Sequence, residues 1–138
     1  MKSKKRSKFL YLLVSLGVIV IDQISKYFAG TYLNIYCNTG GVFGLVGNFV
    51  PIGVAVLILV FSLTVREQNR LNIFGFALIF GGGLSNFYDR IILGCVRDFI
   101  NLGWFPSFNL ADSAITVGVV LILFNLIFGK YNKEVHGS

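Results

Sequence analysis

Of the six acidic residues in this 138-residue chain, Asp98 and Asp112 have the most contrasting local settings. In "CVRDFI" an extended backbone puts Val96, Asp98 and Ile100 on one face, which aims a carboxylate along an apolar surface. In "NLAD", Asp112 lies three residues behind Asn109 and fits the N3 position of a capped helix, where the helix dipole favours an anion. An apolar setting favours the neutral acid at Asp98. If the two side chains face each other, like-charge repulsion makes them share one proton. One carboxylate can then take a proton from water while the other acid polarises a carbonyl or serves a leaving amine, which is amide hydrolysis. Such a pair titrates as a unit.

The other polar residues admit plainer roles. Asp22 and Lys26 are spaced i, i+4 and can pair on one helix face. Asp89 beside Arg90 reads as a helix-end ion pair and a structural support, and Glu67 and Glu134 as solvated surface. Capping and turn formation compete with substrate binding at Asn38 and Asn109. Two distant cysteines, Cys37 and Cys95, and one histidine, His136, have no metal-ligand spacing, so neither a metal centre nor a cofactor is expected. The cysteines read first as small side chains; a disulfide is open to them if both lie outside the cell.

The chain that must position these groups is 55% hydrophobic and 13% charged, with a mean hydropathy of +0.76. Soluble chains carry roughly 25% charged residues, so a bilayer is the fitting solvent. The predicted fold is an all-α polytopic membrane protein, a single embedded domain over 1–138 with four transmembrane helices near 9–28, 49–65, 71–88 and 110–128. Pro51 falls in the first turn of the second span, where its missing N–H costs little. The basic and then apolar opening "MKSKKRSKFLYLLVSLGVIVI" lacks a following A-x-A pattern and reads as a retained helix.

Lysine and arginine set the orientation. Lys2, Lys4, Lys5, Arg6 and Lys8 precede the first span, Arg66 and Arg70 separate the second and third, and Lys130 and Lys133 follow the fourth. The opposite loops hold Arg90 and Arg97, with Lys26 near the outer end of the first span, so both termini are expected inside. The net charge of +6 is then a membrane flank, not a nucleic-acid surface. Asp22, about 20 Å along a helix from Phe9, joins Asp89, Asp98 and Asp112 at the outer boundary. Charges there are costly and call for a reason.

Four stretches resemble the prolipoprotein signal peptidase (signal peptidase II) family: "DQISKYF" (22–28), "NTGGVFGL" (38–45), "GGGLSNFYDRIILGCVRDF" (81–99) and "FNLADSAITVG" (108–118). The resemblance implies a membrane aspartic endopeptidase of the bacterial cytoplasmic membrane. Such an enzyme removes signal peptides from diacylglyceryl-modified prolipoproteins and cuts before the lipidated cysteine. Its catalytic dyad maps to Asp98 and Asp112, and substrate-holding positions to Asn38, Asn86, Arg90 and Asn109. Asp22, Lys26 and Asp89 map to support. The implied partners are lipidated precursors and membrane lipids, with no nucleic acid. Ser25, Val42 and Ser85 depart from the usual threonine, alanine and glycine. The short stretch between Lys26 and Asn38 implies a reduced form of the family's small extracytoplasmic β-platform. "NLGWFPS" (101–107) reads as an interfacial anchor or as a segment over the cleft. A proton-coupled exporter is disfavoured, because the spans hold no acid near mid-membrane.

Overall fold

A long apolar segment in hydrocarbon must satisfy its backbone from within, and the helix does so residue by residue. The computed structural model describes residues 2–39, 49–67 and 69–136. Over these it forms four helices, α1 (Lys2–Tyr32), α2 (Phe49–Arg66), α3 (Arg70–Leu93) and α4 (Leu110–His136), and two short strands, β1 (Tyr36–Asn38) and β2 (Val96–Asp98). Lys8–Tyr32, Arg70–Leu93 and Leu110–Gly129 are each long and apolar enough to cross a membrane, and the apolar stretch Gly53–Arg66 of α2 is shorter. Large apolar side chains such as Leu13, Phe61 and Phe124 remain about half exposed, as befits helices whose outer solvent is lipid.

α3 is the central element and packs on each of the other three helices. Successive residues on a helix point about 100° apart, and the three glycines "GGG" use this to meet three neighbours. A Cβ on Gly81 would lie 2.6 Å from the Ser15 carbonyl oxygen of α1. On Gly82 it would lie 2.5 Å from the Ala111 carbonyl oxygen of α4, and on Gly83 2.9 Å from Cδ2 of Leu57 in α2. Further along, Gly75 of α3 and Gly118 of α4 abut, so that a Cβ on Gly118 would meet the Gly75 carbonyl oxygen at 2.5 Å. Small residues bring backbones together where no water is available to be expelled. Ser15 adds a hydrogen bond from Oγ to the Ala77 carbonyl oxygen at 3.0 Å.

α3 begins at Asn69, whose side chain accepts from the backbone N–H of Leu71 and Asn72, and ends at Gly94 in the left-handed conformation (φ 74°). The helix therefore runs past Tyr88, where the apolar pattern suggested an outer loop, because "RIIL" continues it until the glycine stops it. Beyond Gly94 the chain turns into β2, which pairs antiparallel with β1 in the register Tyr36–Asp98, Cys37–Arg97 and Asn38–Val96. Ile100 and Phe108 add an isolated bridge. The small platform expected at this face is thus present as a two-stranded sheet among the described residues. This pairing brings the Cα atoms of Cys37 and Cys95 to 5.5 Å, and the two form a disulfide rather than standing as separate small side chains. Of "NTGGVFGL", Gly40 to Leu45 lie outside the described residues.

Candidate active site

Asn109 opens α4 and closes a reciprocal cap. Its Oδ1 accepts from the Asp112 N–H at 2.9 Å, and its own N–H donates to Asp112 Oδ2 at 3.2 Å. This fixes Asp112 in the first turn, as the "NLAD" spacing anticipated. Asn109 is fully buried, and its Nδ2 donates to Asp98 Oδ1 at 2.8 Å and to Asn86 Oδ1 at 3.0 Å. Asn86, about two helical turns before the end of α3, turns its own Nδ2 to Asp112 Oδ1 at 2.8 Å. Asn109 therefore touches both carboxylates, Asp98 through its side-chain amide and Asp112 through its backbone N–H, while Asn86 holds Asp112 and is joined to Asn109.

Alternation along β2 buries Val96 and Asp98 and leaves Arg97 half-buried on the other face. Asp98 is 2% exposed, and its Oδ2 accepts from Asn38 Nδ2 of β1 at 3.0 Å. Burial pushes the Asp98 carboxyl above the usual carboxylate range. The Asp112 charge adds to the rise, while the Asn38 and Asn109 amides and the Lys26 charge oppose it. A shallow cleft of about 190 Å³ opens beside Asp98, between Asn34–Tyr36 on one side and Phe99, Asn101 and Ser107 on the other.

Behind the two aspartates lies a buried ionic cluster. Lys26 is wholly buried and gives its ammonium to Asp22 Oδ2 at 2.6 Å, Asp89 Oδ2 at 3.1 Å and Asn86 Oδ1 at 3.0 Å. All three N–H bonds are used, and the third ties the cluster to the amides that hold the aspartates. The i, i+4 pairing of Asp22 with Lys26 stands as expected. Asp22 also accepts from Ser85 Oγ at 2.7 Å and, across helices, from the Ala111 N–H at 2.9 Å. Ser85, which departs from the family's usual glycine, thus supplies a hydroxyl that is used.

The expected Asp89–Arg90 pair is replaced by other partners. Asp89 takes a forked contact from Arg97, Nη2 to Oδ1 at 2.8 Å and Nε to Oδ2 at 3.2 Å, with the Arg97 backbone N–H at 3.0 Å. The return of the chain from α3 into β2 places Arg97 over Asp89, whereas Arg90, next in sequence on a helix, projects elsewhere. Arg90 is half-buried, and its Nε has no partner among the described residues. Gln23 completes the cluster, accepting from Arg97 Nη2 at 2.6 Å and donating to Asp89 Oδ1 at 3.0 Å. Arg97 and Gln23 escaped the residue-by-residue reading. The signal for Arg97 was present in the alternation of β2, which turns it away from the apolar face that Asp98 shares.

The family model described as "Signal peptidase (SPase) II" matches residues 14–128. This chain belongs to the signal peptidase II family. A lipoprotein signal peptidase of Francisella tularensis subsp. novicida (strain U112) is 36% identical, over 91% of this chain and 96% of that one. One of Pseudomonas aeruginosa (strain UCBPP-PA14) is 32% identical, over 92% and 94%. A solved bacterial membrane enzyme superposes with a TM-score of 0.78 at 30% identity, covering 90% of this chain and 91% of that one. A second gives 0.77 at 29% identity, over 85% and 92%. As a signal peptidase II, the protein is an aspartic peptidase of a bacterial membrane with several apolar helices. Three of the stretches that carried the resemblance, 22–28 on α1, 81–99 and 108–118, converge around Asp98 and Asp112.

Proposed function

We propose that this signal peptidase II removes the signal peptides of diacylglyceryl-modified prolipoproteins, cutting before the lipidated cysteine with Asp98 and Asp112 as the catalytic pair. The observation that carries the assignment is that Asn109 donates to both carboxylates, from its side chain to Asp98 and from its backbone to Asp112, with Asn86 linking it to Asp112 and Asp98 almost wholly buried. The prolipoprotein class of substrate is supported by the relatives, which are lipoprotein signal peptidases.

The chemistry follows from one proton shared by the pair. The ionised carboxylate takes a proton from water as its oxygen attacks the scissile carbonyl, and the protonated partner donates to the carbonyl oxygen. Collapse of the tetrahedral adduct breaks the C–N bond. A proton passes to the leaving amine of the lipidated cysteine, and the signal peptide departs as a carboxylic acid. Asn38 and Arg90 remain the candidates for meeting an extended substrate backbone, one at the rim of Asp98 and the other with an unused guanidinium nitrogen. On a reading of four crossings with both termini inside, favoured by the basic flanks, this chemistry occurs at the outer membrane face, where an acylated peptide is held by its own lipid.

The test is incubation of a diacylglyceryl-modified precursor with the wild-type protein, Asp98→Asn and Asp112→Asn, with mass analysis of both fragments. Each substitution is expected to abolish cleavage while the protein stays folded in detergent. Near-normal turnover by either variant refutes the pair.

A further inference from the structure

The strand that carries Asp98 is secured on two sides by different means. On the α3 side, Arg97 locks β2 down through its fork to Asp89, its backbone N–H to the same carboxylate and its contact with Gln23. On the open side β2 pairs, among the described residues, with β1, a strand of three residues that forms a two-stranded sheet with it. Two strands this short hold register weakly in the absence of another anchor. The anchor here is covalent: Cys37 of β1 is bonded to Cys95, the residue before β2. The next residue after Cys37 is Asn38, whose Nδ2 donates to Asp98 Oδ2.

We propose that the Cys37–Cys95 disulfide is a positioning device for the reaction, holding the Asn38 amide on Asp98, so that full turnover requires the link to be closed. The inference rests on the assignment of Asp98 to the catalytic pair. Opening the link frees β1 but leaves β2 tied to α3 by Arg97, so Asp98 keeps its place and loses one of its two amide donors. An oxidised link suits the extracytoplasmic side, where thiols are not kept reduced. Cys37 is exposed and Cys95 buried, so a small reductant reaches one sulfur of the pair. Reduction by a water-soluble phosphine delivers two electrons to the S–S bond. The two sulfurs take up two protons, and the phosphine becomes its oxide with an oxygen from water.

The test measures cleavage of a diacylglyceryl-modified precursor by the detergent-purified protein before and after phosphine reduction, with thiols counted by mass after alkylation. Loss of one hydrogen bond to a charged group predicts a fall of about 10- to 100-fold, restored on reoxidation. Asn38→Ala is expected to show the same fall while still oxidised, and its reduction to add nothing further. Cys37→Ser/Cys95→Ser is expected to sit at the reduced level and to ignore the phosphine. Equal rates for the oxidised and reduced wild-type protein overturn the proposal. So does a reduction that takes its full toll on Asn38→Ala, since that marks general loosening in place of positioning. Misassignment of the catalytic pair would show separately, as cleavage by Asp98→Asn.

Discussion

Replacing Lys26 with methionine keeps an unbranched side chain in place and removes its ammonium. The consequence can be worked from the cluster. Asp22 and Asp89 carry two negative charges, balanced by Lys26 and Arg97, and the side chains of Asp22, Lys26 and Asp89 are all 0% exposed. Without Lys26, Asp89 retains the Arg97 fork and the Gln23 amide, whereas Asp22 retains only the Ser85 hydroxyl and the Ala111 N–H. One buried negative charge is then uncompensated, and removing one partner of a buried pair costs about 3–5 kcal/mol. The double substitution Asp22→Asn/Lys26→Met removes the excess charge and keeps an oxygen for the Ala111 N–H. Most of the loss should return, with a coupling between the two sites of roughly 2 kcal/mol or more. Reversible unfolding in mixed micelles measures all four corners of the cycle. A double variant as unstable as the sum of its single variants refutes the charge-balance argument. Cleavage falls in Lys26→Met as well, because Asn86 Oδ1 loses one of the two donors that orient the amide whose Nδ2 holds Asp112.

Two further outcomes follow. The cleavage rate should fall on both sides of a pH optimum, since the pair works with one proton. Burial holds Asp98 above its usual value, so the alkaline limb lies above the range of an ordinary aspartate. The associated stability has the same sign: it is fully present below the unfolded value and is lost as pH rises through the folded one. A rate profile flat across this range counters the shared proton. The second concerns packing. Gly82→Val drives its side chain into the Ala111 carbonyl of α4 and should prevent a stable fold, while Gly17→Ala, with nothing within 4 Å, should be tolerated. Yields and unfolding midpoints in detergent check both.

The sequence carried the helices, the capped Asp112, the Asp22–Lys26 pair and the alternation that buries Asp98, because each depends on neighbours within a turn or a strand. It misjudged the contacts made by the return of the chain after Gly94. Asp89 pairs with Arg97 rather than Arg90, and Cys37 with Cys95, because a left-handed glycine reverses the chain and β1 supplies an edge to receive it. No local periodicity encodes either meeting. The motifs marked Asn86 and Asn109 as substrate-holding positions, yet their hydrogen bonds to each other and to the aspartates arise only when α3 and α4 touch. Their close approach is permitted by Gly82 and Gly75, where a Cβ would meet the α4 backbone.

The triple glycine of α3 has a mechanical corollary. Two of its three members press directly on the main chain of α1 and α4, and these contacts have no compliant side chain between them. Those helices cannot slide or rock against the centre without a steric collision, so the scaffold behind the aspartates is rigid. Gly83 meets its neighbour through the end of a leucine, which can rotate aside. On the proposed function, room for an arriving acyl chain comes from displacement of α2 or from the segments above the bilayer, and a cross-link fixing α2 to α3 would discriminate between those two routes.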